Sequence, residues 1–414
     1  PTVLVDLAKK VNPVAVISGT NGKTTTTNLV ADCLQTAGVP LYCNREGNNL
    51  QSGIVTSLML APDTSKVVDA ASAAQAPVGC FECDEMYTKY VLPRLRPHYF
   101  MLLNLFRDQL DRFGEIDRIQ ATIAEALAKT PETTFVFNGD DPLCAAIADR
   151  IPNKSLAFGI ASDMGLSADR ISDSRFCQKC GGALEYDYVH YGQLGAYRCP
   201  DCGWARPELA FAATNVRLEE DGFVFDIDGR SVHTGHTGAY MVYNVLAAYA
   251  ISKLSGIVSF ENYQAAVREY HPTNGRLQTF DLGERKVMTN LAKNPTGFNQ
   301  NIRIVLNERG RVLALFVNDN DADGHDVSWF WDIDFERWSQ IEGLRAVVGG
   351  TRANDMQVRL KYAGIQAEIV ENVADVLAAT GADDGKVYII ANYTALPAVR
   401  RELEGLEAAA KGEE

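Results

Sequence analysis

Residues 14–26 read Val-Ala-Val-Ile-Ser-Gly-Thr-Asn-Gly-Lys-Thr-Thr-Thr. They form a short apolar run, a turn holding Gly19 and Gly22, and the opening of a helix. Glycines let the backbone curl until successive N–H groups and the helix N-terminus face one point, which makes an anion site. From that turn Lys23 can reach the β- and γ-phosphates of a nucleotide, and a threonine hydroxyl at 24 or 25 can hold Mg²⁺. The general spacing of such loops puts glycine at position 17, where this chain has Ile17, so the loop is a shortened variant. A βα turn without a ligand is the plain alternative. The strand before, the helix after and the intact Gly-Lys-Thr-Thr favour the nucleotide.

Outward from the loop, Leu29, Val30, Cys33, Leu34 and Ala37 mark a helical face closed by Gly38 and Pro40. Residues 98–106, His-Tyr-Phe-Met-Leu-Leu-Asn-Leu-Phe, read as a buried strand. Ile116, Ile119, Ile123 and Leu127 define a helix that stops before Pro131. Residues 135–138, Phe-Val-Phe-Asn, are another strand, with Asp141-Pro142 as N-cap and first helical residue. Repeated strand–helix order predicts an α/β fold class with a mainly parallel sheet. After alternating strand patterns near 216–229, a helix carries Met241, Val245, Ala248 and Ile251 to Gly256. Turn chemistry at 271–276 marks a domain boundary. Strand runs at 312–319, 344–351 and 387–394 then predict a second, smaller α/β domain, and the Ala- and Glu-rich end reads as a frayed helix.

The chain has 414 residues, 46% hydrophobic and 22% charged, with a formal balance of −14. Length suggests two or three domains, and composition excludes wholesale disorder. An acidic total argues against nucleic acid as the main ligand, since phosphate backbones are held by clustered Lys and Arg. No stretch approaches the roughly 18 apolar residues of a bilayer span. The start lacks the basic-then-apolar order of a secretory signal, and the expected address is the cytoplasm.

Of nine cysteines, four form two pairs: Cys177-Gln-Lys-Cys180-Gly and, 18 residues on, Cys199-Pro-Asp-Cys202-Gly-Trp. Four thiolates so spaced can enclose a tetrahedral Zn²⁺, with glycine after each pair permitting the tight turn under the sulfurs. Two disulfides or a redox pair would not explain two similar knuckles flanking a Gly- and Tyr-rich hairpin. A closed four-Cys site is structural rather than catalytic. Cys33, Cys43, Cys80, Cys83 and Cys144 read as reduced core thiols.

Gly-Thr-Asn-Gly-Lys-Thr-Thr at 19–25 resembles the ATP loop of the Mur ligase and folylpolyglutamate synthase superfamily. Its members phosphorylate a carboxylate with ATP and let an amine attack the acyl phosphate. Further matches follow in order. Phe81-Glu82-Cys83-Asp84-Glu85 resembles the segment carrying a Mg²⁺-binding Glu, which implies that Glu82 and Thr24 hold the metal. Asn104-Leu-Phe-Arg-Asp108-Gln109-Leu-Asp111 resembles the family's N-x-x-x-D-H-x-D. Gln109 replaces the His, so Asn104, Asp108 and Asp111 carry over. Tyr243-Asn244-Val245 resembles the helix whose Asn contacts adenine, and Asn274-Gly275-Arg276 the turn whose Arg contacts ATP phosphates. The resemblance implies a nucleotide site of Gly19, Thr20, Asn21, Gly22, Lys23, Thr24, Thr25, Asn104, Asn244 and Arg276.

Residues 319–336, which hold Asp319, Asp321, Asp323, Asp326, Asp332 and Asp334 among Trp and Phe, follow a strand. Calcium is disfavoured because the twelfth position of an EF-hand loop starting at Asp319 is Phe330 rather than Glu. A solvated acidic loop is the bland reading, yet loops after parallel strands present working groups. In ordinary Mur ligases residues 290–295 would read D-Y-A-H-N-P; here they read Asn290-Leu-Ala-Lys293-Asn294-Pro295. A Mur core, a four-Cys insert and this strip together resemble the MurT family, ligase subunits of lipid II isoglutaminyl synthase, over nearly the whole chain. The resemblance implies a Mur ligase-type ATPase domain at 1–275 with a zinc ribbon at 175–206, and a Rossmann-like C-terminal domain at 276–414. It implies ATP, Mg²⁺ and structural Zn²⁺ as cofactors, with amidation of the D-glutamate α-carboxylate of lipid II at the inner face of the membrane. Ammonia would come from a GatD-type glutaminase partner whose catalytic His is oriented by Asp326, with Asp332 and Asp323 as fallbacks. No Cys here lies in a G-x-C-x-G elbow, consistent with an external nitrogen supply. Competing readings are a stand-alone amino-acid ligase, a zinc-ribbon NTPase acting on nucleic acid, and a scaffold keeping a relic nucleotide site.

Overall fold

The computed structural model describes residues 2–67, 75–107, 116–170, 172–272, 275–283, 285–380 and 385–412. Two compact units emerge. Of the described residues, one unit is built from 2–107, 116–168 and 172–270; the other comprises 169–170 and those from His271 onward.

The first unit is organised on a nine-stranded sheet. Its strands are β1 (Asn12–Ser18), β2 (Leu41–Cys43), β3 (Val78–Glu82), β4 (Tyr99–Leu102), β5 (Thr134–Asn138), β6 (Ser155–Ile160), β9 (Leu209–Glu219), β10 (Gly222–Ile227) and β11 (Arg230–Thr234). The order across the sheet is β11-β10-β9-β6-β5-β4-β1-β3-β2. Pairing is parallel from β2 to β9, and β10 and β11 complete an antiparallel meander. Central β1 is covered on both faces, so Val14, Ala15, Val16 and Ile17 are all buried, as a continuous apolar run in a parallel sheet requires. The helix Lys23–Thr36 follows β1 and packs against the helix Tyr240–Ser255. A separate antiparallel hairpin, β7 (Glu185–Tyr191) and β8 (Leu194–Arg198), carries the cysteine knuckles at its base.

The apolar run 98–106 is strand only at Tyr99–Leu102. Leu103, Leu105 and Phe106 are buried, but after a last bond from Leu103 N–H to Ser18 O of β1 the backbone leaves the sheet, and Leu105 N–H donates to Asp141 and Phe106 N–H to Thr20 Oγ1. Apolar content alone cannot separate such a buried coil from a strand.

The second unit holds six strands: β12 (Gln278–Asp281), β13 (Lys286–Leu291), β14 (Val312–Phe316), β15 (Arg345–Gly349), β16 (Ala367–Ile369) and β17 (Val387–Ala391). Their order is β12-β13-β17-β14-β15-β16, with only edge strand β12 antiparallel. Val287, Val312, Ala314, Val347, Val387 and Ile389 centre its core. The C-terminal helix extends unbroken over Leu396–Lys411 instead of fraying, because Leu403 and Leu406 pack on that core and Lys411 pairs with Glu407. Among the described residues, no helix is long and apolar enough to cross a membrane.

Candidate nucleotide and zinc sites

The loop between β1 and the helix Lys23–Thr36 is shaped by two glycines with positive φ, Gly19 at 135° and Gly22 at 86°. A Cβ on Gly22 would lie 2.5 Å from Asn244 Oδ1, so only glycine lets the helix Tyr240–Ser255 come this close. Gly22 is also the N-cap and places no capping side chain over the helix N-terminus, the end that attracts anions. Asn104 clamps the loop by reciprocal bonds: its Oδ1 accepts from Asn21 N–H at 2.9 Å and its Nδ2 donates to Asn21 O at 3.1 Å. Thr20 N–H donates to Asn104 O.

Lys23 curls back over this loop. Its ammonium donates to Gly19 O at 2.5 Å, to Glu85 Oε2 at 3.2 Å and to Thr20 O at 3.4 Å. Thr24 Oγ1 donates to Glu82 Oε2 at 2.6 Å, while Asn49 Nδ2 donates to the other carboxylate oxygen at 3.0 Å. Asn44 fixes the backbone of residue 82, accepting from its N–H at 2.8 Å and donating to its C=O at 2.9 Å. A hydroxyl and a carboxylate oxygen side by side are hard donors suited to Mg²⁺, which takes one or two protein ligands and completes its shell with water and phosphate. Gly47 closes over the pair, since a Cβ there would stand 3.1 Å from Thr24 Oγ1.

The fold therefore gathers Gly19, Thr20, Asn21, Gly22, Lys23, Thr24, Glu82, Asn104 and Asn244 around one loop, with Thr25 buried in the first helical turn. Arg276 and Asp326 belong to the second unit. Asp108, Asp111 and Asn274 lie outside the described residues. Asn44, Asn49 and Glu85 were not anticipated. Their signals were an Asn- and Gly-rich stretch after β2 and a second Glu in the turn following β3.

All nine cysteines are free thiols. The sulfurs of Cys177, Cys180, Cys199 and Cys202 lie within 4.8 Å of one another, with Cys177–Cys202 at 3.6 Å and Cys180–Cys199 at 3.5 Å. Zn–S bonds of 2.3 Å in a tetrahedron require sulfurs about 3.8 Å apart, so the four residues fit Zn²⁺ closely. N–H groups of Lys179 and Gly182 donate to the Cys177 and Cys180 sulfurs, each at 3.4 Å, as knuckle geometry demands. The remaining five are buried except half-buried Cys43.

The ribbon is fastened to the first unit by a buried polar chain. His190 of β7 donates from Nε2 to Ser162 O at 3.0 Å, and its Nδ1 meets the Tyr243 hydroxyl at 2.7 Å. Tyr243 donates to Asp140 Oδ2 at 2.7 Å, and Arg206, just past the second knuckle, donates to Asp140 Oδ1 at 3.0 Å. Burial pushes the Asp140 carboxyl up and the His190 imidazole down. Trp204 adds a bond from Nε1 to Asp149 at 2.8 Å. Tyr243 directly precedes Asn244, the residue against Gly22.

In the second unit, the loop after β14 is secured by Phe330, Phe335 and Trp338, all buried. Asp326 is exposed. The hydroxyl and N–H of Ser328 hold its carboxyl below the ordinary aspartate value. Asp323 is buried and accepts from Thr394 N–H at 2.9 Å and from the Thr394 hydroxyl. Asp319 pairs with Arg352 at 2.8 Å. Asp332 is half-buried. Among Asp326 and its two alternates, Asp326 is thus the most open to solvent.

A family model described as Mur ligase middle domain matches residues 17–252, and one described as MurT ligase C-terminal matches 291–396. The chain is similar to the MurT subunit of lipid II isoglutaminyl synthase (glutamine-hydrolyzing) from Staphylococcus aureus strain N315. Identity is 32% over 406 residues, covering 97% of this chain and 89% of the relative. The MurT subunit of Streptococcus pneumoniae R6 is 34% identical over 402 residues, covering 95% and 87%. Among solved structures, a pseudomurein peptide ligase type C from Methanothermus fervidus matches with TM-score 0.72 at 19% identity, covering 97% and 80%. The MurF ligase of Thermotoga maritima in complex with ADP matches at 0.64 and 15%, covering 99% and 84%. At such identities the structural matches speak for the fold.

Proposed function

The chain belongs to the MurT family of Mur ligases, and from that premise we propose that it is the ATP-dependent ligase subunit of a glutamine-hydrolysing lipid II isoglutaminyl synthase, a carbon–nitrogen ligase of peptidoglycan synthesis. ATP phosphorylates the α-carboxylate of the stem-peptide D-glutamate, and ammonia displaces phosphate from the acyl phosphate to leave D-isoglutamine. Residues 1–275 form the ATP module with the ribbon at 175–206, and 276–414 form the C-terminal domain.

The observation that carries this reading is the Thr24–Glu82 contact of 2.6 Å beside Lys23, in a chain whose relatives are named for this reaction. Gly19, Thr20, Asn21, Gly22, Thr25 and Asn104 shape the phosphate cradle, Asn244 faces the base, and Arg276 contributes a further phosphate contact. Mg²⁺ held by Thr24 and Glu82 supplies neutralisation of the phosphates. Lys23 adds a positive charge where the migrating γ-phosphoryl group is most anionic. The four thiolates hold Zn²⁺ as a structural element.

The relatives' name calls them a subunit of a glutamine-hydrolysing enzyme, which supports a separate GatD-type glutaminase as the ammonia source. Asp326, exposed and ionised, suits the orientation of that partner's catalytic His, because a carboxylate fixes the tautomer and stabilises the charged ring. The lipid II substrate places the work at the cytoplasmic face of the membrane.

The test is co-purification with a glutaminase-type partner and assay of ATP- and glutamine-dependent amidation of lipid II carrying ¹⁸O in the glutamate carboxylate. Label should pass into the released phosphate; unlabelled phosphate during turnover would exclude the acyl phosphate.

A further inference from the structure

The loop that carries Asp326 is drawn around a single hydroxyl that lies outside it in sequence. Thr394 stands just past β17. Its Oγ1 donates to the Asp323 carboxylate and accepts from Asn318 Nδ2 at 3.0 Å and from Asn320 Nδ2 at 2.8 Å. A threonine hydroxyl has one proton and two lone pairs, so these three bonds use it fully. Thr394 N–H adds a bond to Asp323 Oδ1 at 2.9 Å. The strand ends beneath are joined as well: Asn392 accepts from Asn318 N–H at 3.1 Å and donates to Asn318 O at 2.7 Å. Asp319, between Asn318 and Asn320, is held by the Thr351 hydroxyl at 2.8 Å and by Arg352.

A loop this acidic could lie in water without any such fastening. Instead Asp323 is only 3% exposed, and a buried carboxyl is kept where hydrogen bonds satisfy it. Hydrogen bonds are directional, so three of them meeting at one oxygen fix residues 318, 320 and 323 in register. Gly324, at φ 82°, then turns the chain, and His325 and Asp326 come out to solvent. Phe330 is buried again. Asp326 is therefore an exposed crest between two buried posts, and Asp323 is the nearer of them in sequence. For a carboxylate that orients an imidazole, position matters steeply: an error of roughly 1 Å at a catalytic constellation costs on the order of 100-fold in rate.

Resting on the assignment of Asp326 to the partner's imidazole, we propose that Thr394 is a positioning residue for glutamine-dependent amidation: its hydroxyl fixes Asp323 and so sets where Asp326 meets the partner. In this role Thr394 acts through Asp326 and not on either substrate. The phosphate loop belongs to the other unit, so amidation with free ammonium does not draw on this hydroxyl.

The experiment assays the assembled enzyme with glutamine and with ammonium chloride as nitrogen source, for wild type, Thr394→Val, Thr394→Ser and Asp326→Asn. Thr394→Val removes the hydroxyl and should lower glutamine-supported kcat at least tenfold. The KM for glutamine and the ammonium-supported rate should each stay within threefold of wild type. Thr394→Ser keeps a hydroxyl and should hold glutamine-supported kcat within threefold of wild type. Equal losses with both nitrogen sources would make the hydroxyl a support of the whole unit and overturn the proposal. So would a Thr394→Val enzyme that keeps its glutamine-supported kcat, a change confined to KM, or a Thr394→Ser enzyme no better than Thr394→Val. Should Thr394→Val fail to fold, exposed Asn320 decides, since Asn320→Ala removes one bond to the same oxygen. A threefold or greater loss with glutamine alone supports the proposal, and no loss refutes it. Asp326→Asn that keeps glutamine-supported amidation would instead refute the reading of Asp326 beneath it.

Discussion

Asn44 places both ends of its side chain on residue 82, accepting from its N–H and donating to its C=O. Truncation to alanine leaves that buried N–H without its acceptor, a loss of about 1–3 kcal/mol. Asn44→Ala should therefore melt earlier and also need more Mg²⁺ for nucleotide binding, whereas a change in melting alone would separate Asn44 from the site. Asp141 makes a second residue-level case. Burial pushes its carboxyl up to about 6, against N–H groups of Leu105 and Leu143 that pull it down. The ordinary value is 3.8. Between these two values the folded chain holds a proton that the unfolded chain has lost, so stability falls as pH rises through the window. Relative to Asp141→Asn, wild type should lose on the order of 2 kcal/mol from about pH 4 to about pH 6, read as denaturant midpoints. Parallel curves would mean that the carboxylate stays charged throughout. Lys23, Thr24 and Glu82 were legible because motif type and order announce them. Asn44, Asn49 and Glu85 were not, because their partners sit 38, 33 and 62 positions away, and no local pattern encodes a bond across such separations.

The ribbon was the most legible element, since four thiols in two knuckles leave few alternatives to a metal. Its mode of attachment was opaque: His190, Arg206 and Tyr243 converge on Asp140 from three segments distant from it in sequence. Chelation, or Cys180→Ser, should release zinc and expose the hairpin face that buries Tyr191, Leu194 and Tyr197. Metal analysis with amide exchange checks this: amides of 185–198 should lose protection while those of β1, β4 and β5 keep theirs. Uniform loss across both would show that zinc supports the whole unit. The stretch 98–106 shows the opposite case, in which correctly identified burial gave the wrong backbone because Asp141 and Thr20 offered its amides better acceptors than a longer strand would.

Across the whole molecule, alternation of strand and helix sufficed for the α/β class, and the second unit's sheet followed from its apolar runs. Under the proposed function, the acidic loop works on a surface that the glutaminase partner completes. Asp326→Asn should abolish glutamine-supported amidation in the assembled enzyme while amidation with free ammonium persists. Loss of both would place Asp326 in the ligase half, and retention of both would remove it from the reaction. Lys23→Ala should instead abolish ATP turnover with either nitrogen source and leave one zinc per chain. One peptide bond separates Tyr243, which clasps the ribbon, from Asn244, which presses on Gly22. A slight roll of that helix must be felt at both ends, so preparations handled in chelating buffers will report a poor nucleotide binder although every residue touching the nucleotide is intact.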